Sequence, residues 1–269
     1  MNKFFVFRQF QNFRATPHTI GDAGFSQRER QALPGVLQLT LLLAFIGCIL
    51  FAQEPVPFGS WKIDEGEGIA IRNAQGTGDG KLLGEAFEWI ENGPGKALLF
   101  KNPAKTEKAS YIQLPADNFD VTKGFTILVT IKTPDKVPVK SRQHEIVNFT
   151  SSFGKPLGFR LLMAWNAIWL HLGEGTKIFR LDMPNTKTQL KTGTWYKIAA
   201  VFDGAKGAIY LDGVKVIEKD GIVIGKPKLR TFKVGAGGPK YYGFEGIISN
   251  LVIYNCPVPE KTILDYCQQ

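Results

Sequence analysis

The sequence predicts an all-β protein, two antiparallel sheets packed face to face as a sandwich, preceded by an N-terminal hydrophobic helix. Three observations predict it. Residues 193–217, GTWYKIAAVFDGAKGAIYLDGVKVI, read as three short strands joined by two tight turns, because Asp203-Gly204 and Asp212-Gly213 supply turn chemistry between apolar, β-branched-rich runs. About a dozen such runs are spread along the chain, and its 29 glycines favour many turns between them. Sustained helical periodicity is confined to one apolar stretch near the N-terminus, so the strands have only each other to pack against.

At 269 residues, 44% hydrophobic and 12% aromatic, the chain is long enough to bury a full core. Residues 1–35 form a polar, basic leader without periodicity, with five lysines and arginines against two acids. Residues 36–52, VLQLTLLLAFIGCILFA, carry no charge and run at once into Gln53-Glu54-Pro55. A basic flank, an apolar core and a polar exit are the layout of an export signal. Seventeen residues fall short of the about 20 that usually span a bilayer. A signal peptide cleaved after Ala52 and a retained anchor with its basic end in the cytoplasm both fit. Lipidation of Cys48 is a third reading, opposed by the apolar Ile49, Leu50 and Phe51 beyond it; otherwise Cys48 is a small apolar helix residue.

Residues 53–57 read as a linker and residues 58–269 as the folded domain. Within it, Trp61 and Ile63 alternate as in an outer strand, and residues 73–80, NAQGTGDG, are a loop. Residues 95–100, 111–115, 125–132, 145–149, 159–163, 168–172 and 178–181 read as strands. Residues 195–202 and 207–211 belong to the meander, and residues 243–254 end the series. A helical turn is expected over residues 260–266. Cys256 and Cys267 close a short loop around it, and in an oxidising compartment the pair is expected to form a disulfide.

Several segments resemble the laminin-G-like, concanavalin A-like lectin/glucanase jelly roll. Its "WxLDEGxG" opening matches residues 61–68, its "GKALxF" strand residues 95–100, its "YVxIP" and "FTIsxWVK" strands residues 111–115 and 125–132. Gly193, Trp195, Ile198, Ala199, Tyr210 and Leu211 stand at the positions of its central hairpins. The resemblance implies a jelly-roll sandwich over most of residues 58–267, with Trp61 and Trp195 in the core. Members often hold calcium, but the aspartate expected after the GKALLF strand is Lys101, and Ile248-Ser249-Asn250 replaces a second acidic motif. An ammonium at a ligand position repels the ion, so no metal or cofactor is expected.

The resemblance also tests for hydrolysis. Retaining glycosidases on this fold carry E-x-D-x-x-E on one strand, because two carboxylates must flank the scissile bond. That motif is absent. Asp64, Glu65 and Glu67 are the nearest cluster, and neighbours on a strand point to opposite faces, so they read as turn and capping carboxylates. His144 and His171 stand in no metal-ligand spacing, and Gly235-Ala236-Gly237-Gly238 lacks the helix of a phosphate cradle. Asn148 opens a glycosylation sequon inside a strand.

What remains is a set of rings that could meet a ligand. Trp165 lies in a turn and Tyr241 and Tyr242 in a loop, while Trp169 and His171 share one face of a strand whose other face carries Ile168, Leu170 and Leu172. Trp169 also fits a core position. The expected ligand-binding residues are therefore Trp165, His171, Tyr241 and Tyr242. The expected function is an exported, non-catalytic binding module for carbohydrate or cell-envelope polymer, extracytoplasmic and anchored if residues 36–52 are retained. A protein-interaction domain and a divergent hydrolase are the alternatives. The formal charge of +9 is compatible with an anionic partner such as a cell-surface polymer, but net charge speaks to solubility rather than to a site and reads first as a solvated lysine face.

Overall fold

The computed structural model describes residues 54–269, except 77, 103–107, 137–142, 152–153, 185–188 and 238–241. In chain order the strands are β1 (Gly59–Trp61), β2 (Ala70–Ile71), β3 (Gly80–Leu83), β4 (Phe87–Asn92), β5 (Gly95–Lys101), β6 (Tyr111–Pro115), β7 (Phe125–Lys132) and β8 (Gln143–Thr150). There follow β9 (Leu157–Ala164), β10 (Ala167–Glu174), β11 (Ile178–Asp182), β12 (Trp195–Phe202), β13 (Gly207–Leu211), β14 (Val214–Lys219), β15 (Thr231–Val234) and β16 (Glu245–Tyr254). Helix α1 (Glu260–Gln268) closes the chain.

Sheet A runs β14-β13-β12-β7-β16-β5-β4, with β1 pairing to β16 beyond β5. Sheet B runs β11-β10-β9-β8-β15-β6-β3-β2. Every pairing is antiparallel. The expected meander is present as β12-β13-β14, consecutive in sheet A and turned by Asp212-Gly213, both at positive φ. The open edges are β14 and β4 in sheet A and β11 and the two-residue β2 in sheet B.

Alternation along the strands fills the space between the sheets. In β9, Phe159, Leu161 and Met163 enter the core; in β10, Ile168, Leu170 and Leu172 do the same. Aromatic rings dominate the centre, where Phe119 meets Phe232 at 4.9 Å, Phe58 at 5.3 Å and Phe149 at 5.5 Å, all edge to face. Trp61 is fully buried, as the resemblance implied. Trp195 is not. It is the first residue of β12, at the rim of the sandwich, and 37% of it is exposed.

The outer face of sheet A has its own small core. Helix α1 starts after Pro259, carries Glu260 in its first turn and is braced by Lys261–Asp265 at 2.6 Å. It lays Ile263 and Tyr266 on Leu128, Ala199, Tyr210 and Tyr254. This helix explains a correction: Cys256 and Cys267 are both free, not bridged. Thr126 donates to the Cys256 carbonyl and Lys197 to the Cys267 carbonyl, each at 3.1 Å. Lys197 stands opposite Thr130, four residues beyond Thr126 on β7. The cysteines therefore dock about 13 Å apart along the strand, far outside the roughly 4.4–6.8 Å Cα separation of a disulfide.

The leader and the apolar stretch, residues 1–35 and 36–52, lie outside the described residues, and so does Cys48. Among the described residues no helix is long and apolar enough to cross a membrane.

Candidate ligand-binding face

Because one face of each sheet B strand enters the core, the other face presents a second set of side chains in register. Arg180 stands opposite His171, His171 opposite Arg160, and Arg160 opposite Asn148. Lys233 stands opposite Asn148 on one side and Gln113 on the other, and Gln113 faces Lys81. One step along the strands, Asp182 pairs with Trp169, Trp169 with Leu162, and Leu162 with Glu145. The outer face is thus a polar row backed by a row that contains aromatic and acidic groups.

Glu145 is fully buried in that face. Arg160 Nε donates to its Oε1 at 2.8 Å, the Arg160 terminal nitrogen donates to the same oxygen, and Asn148 Nδ2 approaches Oε2 at 3.4 Å. The same guanidinium nitrogen donates to Gln143 Oε1 at 2.9 Å. Burial pushes the Glu145 carboxyl up, and Arg160 pulls it back. The covering wall is residues 236–237 and 242–243. The Glu145 amide donates to the Tyr242 carbonyl at 3.1 Å, and a Cβ on Gly237 would lie 2.5 Å from Glu145 Cγ, so only glycine lets that loop close. The Tyr242 ring lies over Arg160, 5.2 Å from Cζ.

His171 Nε2 meets Asp182 Oδ1 at 3.0 Å, and Trp169 stacks on the imidazole at 5.6 Å. Burial drives the imidazole down to about 4, against the pull of Asp182 and with a further push from Arg160 and Arg180. At neutral pH the ring is therefore neutral, its Nε2–H donating to Asp182, which leaves Nδ1 as an acceptor. Beyond β8, Lys233 lies over Tyr111 at 5.1 Å. Trp169, Tyr242 and Tyr111 are all half-buried, so each shows part of a ring on this side. Opposite the loop wall, Pro156 fills the space over Gly173, which pairs with Gly158, leaving a small depression that reaches Arg160 and His171.

The two carboxylates of this face are badly placed for glycoside cleavage. Glu145 and Asp182 are three strands apart through Leu162 and Trp169, about 14 Å between backbones. Cleavage needs carboxyls about 5–5.5 Å apart, or about 6.5–9.5 Å with a water between them, and both groups here are already bonded. A calcium ion does not fit the Lys101 position either: Lys101 is ion-paired with Glu88. No group of three His, Cys, Asp or Glu among the described residues could hold a metal.

Of the rings expected from the sequence, the structure brings His171 and Tyr242 together around Arg160. Trp165 is 46% exposed in the turn after β9, four residues from Trp169, and is held with Asn166 at positive φ, rare for so bulky a residue. Tyr241 lies outside the described residues. Trp169, left out of the expected site because it fits a core position, is half-buried: it packs against the main hydrophobic core and also stacks on His171. The sequence reading missed Arg160, Tyr111 and the cations, whose only local signal is alternation inside short apolar strands.

A larger concavity lies elsewhere, on sheet A. Two adjoining hollows of about 590 and 400 Å³ sit between α1 and the β4–β5 turn, lined by Trp195, Asn92, Thr130, Lys197 and Ser249. The lysines around it are already matched, Lys62 with Asp64 and Lys96 with Glu91, and Lys197 holds the helix end. Two of its polar groups tie the helix down, Lys197 through the Cys267 carbonyl and Thr130 through the Tyr266 hydroxyl.

A family model described as concanavalin A-like lectin/glucanases superfamily matches residues 106–264, well over half of the chain. No curated protein matches. Among solved structures, domain 4 of a GH43 extracellular arabinanase from Geobacillus stearothermophilus, in complex with arabinotriose, is similar with a TM-score of 0.58 at 17% identity, covering 80% of this chain and 100% of that one. The binding domain of Paraclostridial Mosquitocidal Protein 1 reaches 0.59 at 14% identity, over 78% of this chain and 51% of that one. A botulinum neurotoxin type C structure, whose cell entry depends on two ganglioside molecules, reaches 0.56 at 11% identity over 80% of this chain. The chain spans about half the length of these two toxin chains. At such identities the likeness is one of fold.

Proposed function

We propose, from the premise that the chain belongs to the concanavalin A-like lectin/glucanases superfamily, that its sandwich is a non-catalytic binding module for carbohydrate or cell-envelope polymer. The observation that carries this reading is the set of half-buried rings, Trp169, Tyr242 and Tyr111, on the outer face of sheet B, with the half-buried amide of Gln113 among them. Sugars need flat apolar faces beside polar groups, and a rigid sheet supplies both at fixed spacing. The separation and engagement of Glu145 and Asp182 support binding without cleavage. Residues 1–35 act as leader and residues 36–52 as signal peptide or anchor, so the module works outside the cytoplasm. A reporter fused after Gln269 and active only in the cytoplasm would contradict that placement.

The full chain, tested for retention on immobilised polysaccharides and envelope fractions, should bind weakly. Rings of this kind contribute about 0.5–1.5 kcal/mol each beyond burial, which places affinity at about micromolar to millimolar. Replacing Trp169, Tyr242 and Tyr111 with Ala should abolish retention while the melting transition persists. Undiminished retention, or release of reducing sugar, rejects the reading, and capture of envelope protein alone replaces it with a protein-interaction role.

A further inference from the structure

The register of sheet B narrows the ligand class, resting on the glycan reading above. Counting from β11, basic residues project outward from the first, third, fifth and seventh strands: Arg180, Arg160, Lys233 and Lys81. They lie in one row, with the neutral His171, Asn148 and Gln113 between them. Strands are about 4.8 Å apart, so the cationic positions repeat at about 10 Å across the sheet.

Three of the four are unmatched. Arg160 is paired with Glu145, but Arg180, Lys233 and Lys81 have no carboxylate within ion-pair distance among the described residues. Lys62, Lys96, Lys101, Lys206, Lys215 and Lys261 all have acidic partners. Arg180 and Lys81 are exposed and Lys233 is half-exposed above Tyr111, so the row is open towards its ends, while in its middle His171 and Asn148 are buried and Arg160 nearly so, with the Tyr242 ring over Arg160.

An extended 1,4-linked glycan advances by about one strand spacing per ring. Laid across the strands, it sets alternate rings over the basic positions and the intervening rings over neutral ones. We propose that the outer face of sheet B takes an unbranched anionic glycan, crosswise to the strands, with an acidic group on every second sugar. The acid meets Arg180, Lys233 or Lys81, and Trp169, Tyr242 and Tyr111 offer their faces to the rings beside it.

The test uses the full chain and a heparosan octasaccharide, 1,4-linked throughout with a uronate on alternate rings and one ring per strand of the sheet, beside the same oligosaccharide with its carboxyls reduced to alcohols. Affinity for the acidic form should exceed that for the reduced form by at least about tenfold and fall as salt is raised. Arg180→Gln, Lys233→Gln and Lys81→Gln should each weaken the acidic form by about two- to fivefold, leave the reduced form unchanged and leave the melting transition in place. Lys62→Gln and Lys96→Gln on sheet A should change neither. A dextran sulfate of equal length should bind less well, because its charges are not spaced by two rings. Equal binding of the acidic and reduced forms overturns the inference and leaves the glycan reading standing. Equal binding of dextran sulfate, with all five basic residues contributing alike, overturns it in favour of unspecific attraction. If neither oligosaccharide binds and no other glycan is retained, the glycan reading itself fails.

Discussion

The two outer faces of the sandwich are built from the same alternation and reach opposite ends. Sheet A covers its middle with α1, Lys62, Lys96 and Lys261 beside it are paired with acids, and Lys197 holds the helix end. Sheet B buries one ion pair, Glu145–Arg160, and leaves the flanking cations and rings uncovered. A face closed by its own chain is a structural element, while a face held rigid and left open is available to something else. The depth of a hollow is therefore a poor guide here: the larger one belongs to the closed face.

The contrast is broken most severely at Arg160. Arg160→Met leaves a buried carboxylate without its partner and should remove about 3–5 kcal/mol of stability by urea unfolding. Lys96→Met, which ends an exposed pair with Glu91, should cost at most about 1 kcal/mol.

A pH series sharpens it next. The His171 imidazole is lowered from 6.5 to about 4, so the unfolded chain binds the proton more readily, and stability is lost as pH falls from about 6.5 towards 4. The loss reaches at most about 3 kcal/mol. His171→Asn should remove that part of the slope, and an unchanged slope would show that the imidazole is not held neutral by the face.

Ring substitutions come third. Trp169→Ala should weaken glycan retention by about two- to tenfold, whereas Trp195→Ala at the sheet A hollow should leave it unaltered. The smallest effect is expected at the thiols. Joint replacement of Cys256 and Cys267 by Ser should shift stability by no more than about 1 kcal/mol, with no change in non-reducing mobility.

How much of this was legible in the sequence depends on where the information lies. β12 and β13 stand where their alternation and their Asp-Gly turns put them, because those signals are local. β4, with FEWIEN, and β15, with TFKV, were not read as strands: one mixes charge with rings, and the other is too short to show a period. The row from Arg180 to Lys81 was invisible for a different reason. Its members come from residues 81 to 233, in an order set by strand pairing rather than by the chain. Trp195 was assigned to the core by resemblance, but as the first residue of its strand it lies at the rim. The cysteines were close in sequence, and only the rise of the helix between them separates their docking points.

The four edges noted above have a bearing on how copies of this protein meet one another. An edge strand offers unpaired amides and carbonyls to any passing strand, and long, flat, apolar edges invite assembly into aggregates. Here β14 carries Lys215, Glu218 and Lys219, β4 carries Glu88 and Glu91, β11 carries Arg180 and Asp182, and β2 is only two residues long. Charge on three edges and brevity on the fourth guard against lateral growth, so a concentrated solution of the folded domain should stay free of fibrils while its broad face remains open.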